Sequence, residues 1–129
     1  MHTDEPFYSA RQLFPRGLDQ PEGSLRFGAD ALLLAAFAAR HVENLNESRQ
    51  AHLTAAELGC GCGAALLGLA LRCPGVTGLG LDREAPLVQA ATANAARLGL
   101  TERLRFAEAD LADRKHMSEL AGTTGVNHA

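Results

Sequence analysis

The chain has 129 residues, 47% of them hydrophobic and 21% charged, with a net charge of −3. That is about one ordinary globular domain, and the acidic balance excludes a chain-wide basic footprint for nucleic acid, though not a local patch. Three cysteines, Cys60, Cys62 and Cys73, fall short of the about four paired ligands of a structural zinc site and read as reduced thiols of a cytoplasmic protein.

In chain order, residues 1–6 are polar and acidic and lack the pattern of a signal peptide. Tyr8–Phe27 is punctuated by Pro15, Gly17, Pro21 and Gly23 and is predicted to form a small hairpin or extended arm. Asp30 is placed to N-cap a helix over about Ala31–Val42. That helix is apolar nearly all round, which predicts burial of most of it. Its apolar run is far shorter than the roughly 20 residues of a bilayer span, so no membrane partner is expected. Glu43–Gln50 reads as a polar linker.

A short buried strand is predicted at about His52–Leu58, followed by a helix over Gly63–Arg72 that Pro74-Gly75 stops. Val76–Leu81 reads as a second strand ending at Asp82. Pro86 suits the first turn of a helix that runs to Leu98, with Gly99 as its stop. Leu104–Ala107 reads as a third strand ending near Ala109-Asp110. This βαβαβ order predicts an α/β, Rossmann-like fold. Right-handed crossovers give a three-stranded parallel sheet in the order 3-2-1. The expected organisation is an N-terminal arm at 1–28, a core at 29–112 and a polar tail at 113–129.

Glu57-Leu-Gly59-Cys-Gly61-Cys-Gly63 joins the first strand to its helix. Glycines there permit positive φ and close approach of backbone to a ligand at the carboxyl edge of the sheet. Asp82, 19 residues beyond Gly63, is placed to accept hydrogen bonds from two ribose hydroxyls, as in both dinucleotide and S-adenosylmethionine folds. Gly59-x-Gly61-x-x-Ala64 also satisfies the dinucleotide form, which leaves an NAD or FAD module of an oxidoreductase open. Against it stand the extra Gly63, the long helix before the first strand, and Glu57. A carboxylate complements a sulfonium and an ammonium better than a pyrophosphate. A non-catalytic binding protein with the same fold is the remaining alternative.

The E-x-G-x-G-x-G turn, Asp82 and Ala109-Asp110-Leu111, in this order, resemble motifs I, II and III of class I S-adenosylmethionine-dependent methyltransferases. Phe27-Gly-Ala-Asp30 through Phe37 resembles the segment before motif I in the tRNA adenine-N6 methyltransferase group, with Ala29 where that group has Thr or Ser. Leu81-Asp-Arg-Glu84, Ala91-Thr-Ala-Asn94 and Leu98-Gly-Leu100 are similar to its second helix region. The resemblance covers about residues 10–112 and implies S-adenosylmethionine as cofactor and tRNA as a partner of the full enzyme. It also implies roles. The backbone at Gly59, Cys60, Gly61 and Gly63 lines the methionine and ribose side. Glu57 orients the amino group, Asp30 stands near the methionine end, and Asp82 holds the ribose. Arg83 flanks the adenine, Asp110 accepts from its N6 amine, and the Leu111 N–H faces the ring.

That group carries Asn-Pro-Pro-aromatic at the end of a fourth strand, where it holds the target amine. No Asn-Pro-Pro occurs in these 129 residues, so no catalytic residue and no metal ligand is assigned. The expectation is a cofactor-binding portion, inactive alone, whose first strand offers an open apolar edge able to dimerise.

Overall fold

The structure, a computed structural model, describes residues 7–24, 27–45, 52–110 and 112. Its elements are α1 (Tyr8–Leu13), α2 (Ala29–Leu45), β1 (Leu53–Leu58), α3 (Ala64–Arg72), β2 (Val76–Asp82), α4 (Ala85–Arg97) and β3 (Leu104–Glu108). The strands form one parallel sheet with β2 central. This is the α/β architecture and strand order that the βαβαβ pattern predicts. Leu53 pairs with Val76 and Leu58 with Leu81, while Gly78 pairs with Leu104 and Asp82 with Glu108. The three strands therefore end together, and their carboxyl edge is the platform for the site.

Local chemistry sets the boundaries. Pro74 biases the residue before it to extended backbone, and Cys73 ends α3 in that conformation. Pro86 lies in the first turn of α4. Gly99 follows α4 at φ +74°, and the Gly99 and Leu100 N–H groups donate to the Ala96 and Ala95 carbonyls, the double bond of a left-handed helix stop. Residues Ala64–Ala70 of α3 are all buried, and the main core joins Leu66, Leu67, Val76, Leu98, Leu100 and Leu104.

Four expectations are corrected. The arm opens with a helix, Tyr8–Leu13, and not with a hairpin. Its Ala, Arg, Gln and Leu favour helix, and no glycine or proline interrupts it before Pro15. Helix α2 begins at Ala29, so Asp30 lies inside its first turn and does not cap it.

Nor is α2 mostly buried. Among its described side chains Ala35 and Ala39 are the ones fully enclosed, whereas Leu33 (69% exposed) and Phe37 (73%) face outward. The reason is a close crossing of small residues: a Cβ on Gly68 of α3 would stand 3.0 Å from the Ala35 Cβ. The approach seats one stripe of α2, with Ala31, Ala38 and Val42 packed against buried clusters, and leaves Leu33, Leu34 and Phe37 exposed. Likewise β1 alternates half-buried and exposed and is not a buried strand, because nothing described pairs along its outer edge.

Candidate functional site

The 59–63 turn leaves β1 at the carboxyl edge and enters α3. Gly59, Gly61 and Gly63 hold φ of +72°, +57° and +92°, a region that side chains rarely adopt. Three left-handed residues at alternate positions account for all three glycines. Four amides of the turn are already engaged. Gly59 and Cys60 both donate to the Leu81 carbonyl (2.7 and 2.9 Å), Gly63 donates to the Cys60 carbonyl (3.0 Å), and Gly61 donates to Asp82 Oδ2 (3.0 Å). Asp82 Oδ1 accepts from the Glu84 N–H (3.0 Å), so the carboxylate at the end of β2 is fixed by one bond on each oxygen. An ionised carboxyl has about four acceptor sites, which leaves capacity on both oxygens.

Two clefts flank the turn and share Gly59. One, of about 320 Å³, is lined by Phe27, Asp30, Glu57, Cys60 and Gly61, among others. The other, of about 220 Å³, is lined by Gly59, Asp82, Arg83 and Asp110. The sequence-predicted residues are thus gathered on one edge with a carboxylate pair at each side. Gly63 lines neither cleft and is buried beneath the turn, where a Cβ would meet Leu67, Ala91 and Phe106 at 3.2–3.3 Å. Leu111 lies outside the described residues.

Glu57 reaches the larger cleft from β1, and its Oε1 is buried and makes no hydrogen bond among the described residues. Burial holds its carboxyl up at about 7, the Leu66 N–H pulls the other way, and the Asp82 charge adds to the rise. Between the ordinary value near 4.5 and about 7 the folded chain therefore binds more protons than the unfolded one. Stability falls as pH rises through that window, and the full cost is present above it. Glu57→Gln removes the charge. Its thermal midpoint is expected above wild type at pH 8 and level with it or lower at pH 5, measured by circular dichroism melts. The Cys60 thiol is pushed up to about 12, by burial first and by the Glu57 and Asp82 charges next. It stays protonated and is no nucleophile.

One residue of the site had no role in the sequence reading. Asn94 of α4 is wholly buried, and it is the one fully buried polar side chain among the described residues. Its amide donates to the Cys62 carbonyl in the glycine turn (3.0 Å) and exchanges two bonds with the Asp19 backbone. The available signal was an amide on the apolar stripe Leu87, Ala91, Asn94, Leu98. Among the described residues no three His, Cys, Asp or Glu side chains gather as a metal site, and no helix is long and apolar enough to cross a membrane.

No family model matches the chain, and no curated protein matches it. Solved structures do. The N-terminal domain of human METTL16, in complex with S-adenosylhomocysteine, aligns with a TM-score of 0.64 at 14% identity, over 84% of this chain and 42% of that one. The human methyltransferase 10 domain containing protein aligns with a TM-score of 0.61 at 15% identity, over 84% and 52%. The mitomycin 7-O-methyltransferase MmcR aligns with a TM-score of 0.51 at 24% identity, over 80% and 26%. The chain spans about half or less of each of these proteins. It has, over that span, the Rossmann-like fold of class I methyltransferases.

Proposed function

We propose that this chain binds S-adenosylmethionine and forms the cofactor-binding part of a methyltransferase, with adenine N6 of tRNA or another nucleic acid as the target. The observation that carries the reading is the chemistry left open at the turn. The amides of Gly59, Cys60, Gly61 and Gly63 are engaged internally, which leaves few donors for a pyrophosphate, and what faces the clefts is carboxylate: Asp30 and Glu57 on one side, Asp82 and Asp110 on the other. Such a site suits a cationic ligand with hydroxyl and amine donors, and an unpartnered buried acceptor at Glu57 suits an ammonium.

In this reading Glu57 and Asp30 hold the methionine end. Asp82 accepts from the ribose hydroxyls, Arg83 flanks the adenine, and Asp110 accepts from the adenine amine, with Leu111 beside it. The backbone of Gly59, Cys60 and Gly61 contributes close approach rather than donors. When bound, the cofactor supplies an electrophilic methyl group on a sulfonium. The residues named here bind and orient it, and the target-holding Asn-Pro-Pro is not among these 129 residues. The proposed arrangement is a cytoplasmic one, with an arm at 1–28, a binding core at 29–112 and a tail at 113–129.

Calorimetric titration with S-adenosylhomocysteine and, separately, NAD tests the reading. Micromolar binding of the first alone is expected. Binding of NAD alone would replace it with the oxidoreductase module. The adenine-N6 assignment is tested by restoring a downstream half that carries Asn-Pro-Pro and assaying methyl transfer to unmodified tRNA.

A second part of the proposal is self-association at the β1 edge, where Leu58 is 58% exposed. At tens of micromolar, sedimentation equilibrium is expected to give a dimer, and Leu58→Lys a monomer. A monomeric wild type at that concentration removes this part.

A further inference from the structure

The geometry points to Asn94 as a positioning residue for the methionine end of the ligand, an inference that rests on the proposed cofactor reading. Asn94 touches neither cleft. It joins the two walls of the larger one. Its Nδ2 donates to the Cys62 carbonyl (3.0 Å), and Cys62 sits in the glycine turn that forms one wall. Toward the other wall, Oδ1 accepts from the Asp19 N–H (2.6 Å) and Nδ2 donates to the Asp19 carbonyl (3.1 Å). The next residue, Gln20, accepts the Phe27 N–H on its side-chain oxygen (3.1 Å). Phe27, Gly28 and Asp30 then line the cleft opposite the turn.

The buried neighbours of Asn94 on α4 are alanines, and an apolar side chain there would leave the Cys62 carbonyl and the Asp19 N–H and carbonyl without the amide that pairs them. What a planar carboxamide adds is direction: two donors and an acceptor held in one plane, each aimed at a different backbone group. The arm does not depend on Asn94 alone for its attachment. Arg97 donates to the Gly17 carbonyl, and Arg11 Nε donates to the Leu98 carbonyl at 2.8 Å. Removing the amide therefore leaves the arm docked and loosens the spacing between the walls. The smaller cleft, with Asp82 and Asp110, is built without it.

The test compares two ligands on the full chain. S-adenosylhomocysteine engages both clefts, whereas 5′-methylthioadenosine lacks the amino-acid end. Asn94→Leu is expected to weaken the first about tenfold by calorimetry and to leave the second within about twofold. Arg97→Ala, which loosens the arm without touching the turn, is expected to leave both within about twofold. Equal losses for both ligands in Asn94→Leu would reduce Asn94 to general support of the fold and overturn the inference, as would no loss for either. If wild type binds neither ligand, the cofactor reading itself fails and the inference with it. Should Asn94→Leu not fold, Asn94→Ser, smaller and still polar, is titrated under the same criteria.

Discussion

Asp82→Ala is expected to weaken S-adenosylhomocysteine binding at least a hundredfold. The carboxylate closes β2 in the smaller cleft, and each oxygen is aimed by a backbone N–H, from Gly61 and from Glu84. Hydrogen bonds to a charged group contribute about 1.5–3 kcal/mol each. Loss of the pair proposed for the ribose hydroxyls amounts to about 3 kcal/mol or more, which is a hundredfold or greater change in affinity. The variant also frees the Gly61 amide, so the turn loses an anchor, and a fall of about 1 kcal/mol in stability accompanies the binding defect. Asp82→Asn separates shape from acceptor capacity. It preserves size but turns an NH₂ group toward either the Gly61 or the Glu84 N–H, so it is expected to bind nearly as poorly as alanine. Calorimetry on the three proteins decides the matter, and a dissociation constant for Asp82→Ala within threefold of wild type would remove Asp82 from the site.

The second large effect is expected at Gly80, in the middle of the central strand. A Cβ there would lie 2.6 and 2.7 Å from two carbons of the Phe106 ring and 3.0 Å from the Cys60 Cβ. Phe106 is the register partner of Gly80 on β3, and its ring occupies the space that glycine leaves empty. Gly80→Ala forces the ring aside and presses on Cys60, and with it on the glycine turn. Overpacking of this kind costs about 1–3 kcal/mol. For a chain of this size about 2 kcal/mol corresponds to a lowering of the thermal midpoint by about 7 °C. Phe106→Leu shortens the intruding group, so the double variant Gly80→Ala/Phe106→Leu is expected to lose less than the two single changes added together. A midpoint for Gly80→Ala within 2 °C of wild type would mean that the ring has free room to move.

The parts of the fold that local chemistry dictates were readable in advance. Pro74, Pro86 and Gly99 act on their own backbone or their immediate neighbour, so the limits of α3 and α4 came out close to their observed positions. The same holds for the acids at strand ends: Glu57, Asp82 and Asp110 fall at or just past the carboxyl ends of the three parallel strands that the βαβαβ pattern implies. What was not readable depends on distant partners. Whether Leu33 and Phe37 are covered is decided by how closely Ala35 approaches Gly68, and apolar periodicity does not encode that distance. The prolines and glycines of 15–23 obscured the short helix α1 before them, which tertiary contacts hold, including the Arg11 bond to Leu98. The role of Asn94 is hidden in the sequence, because its partners lie 32 and 75 residues away. The engagement of the turn amides was also invisible, since their acceptors include the Leu81 carbonyl on another strand.

That engagement has a kinetic consequence. A glycine turn is ordinarily the most adaptable piece of a binding site, yet this one is fastened to β2 at Gly59, Cys60 and Gly61 without help from any ligand. The floor of the site is therefore preorganised, and docking onto it forfeits little backbone entropy. Whatever ordering accompanies binding falls on the opposite wall, where Gly28, Ala29 and Asp30 are exposed. Entry and release are then expected to follow the segment Phe27–Asp30, where substitutions should change residence time more than they change the shape that the ligand meets.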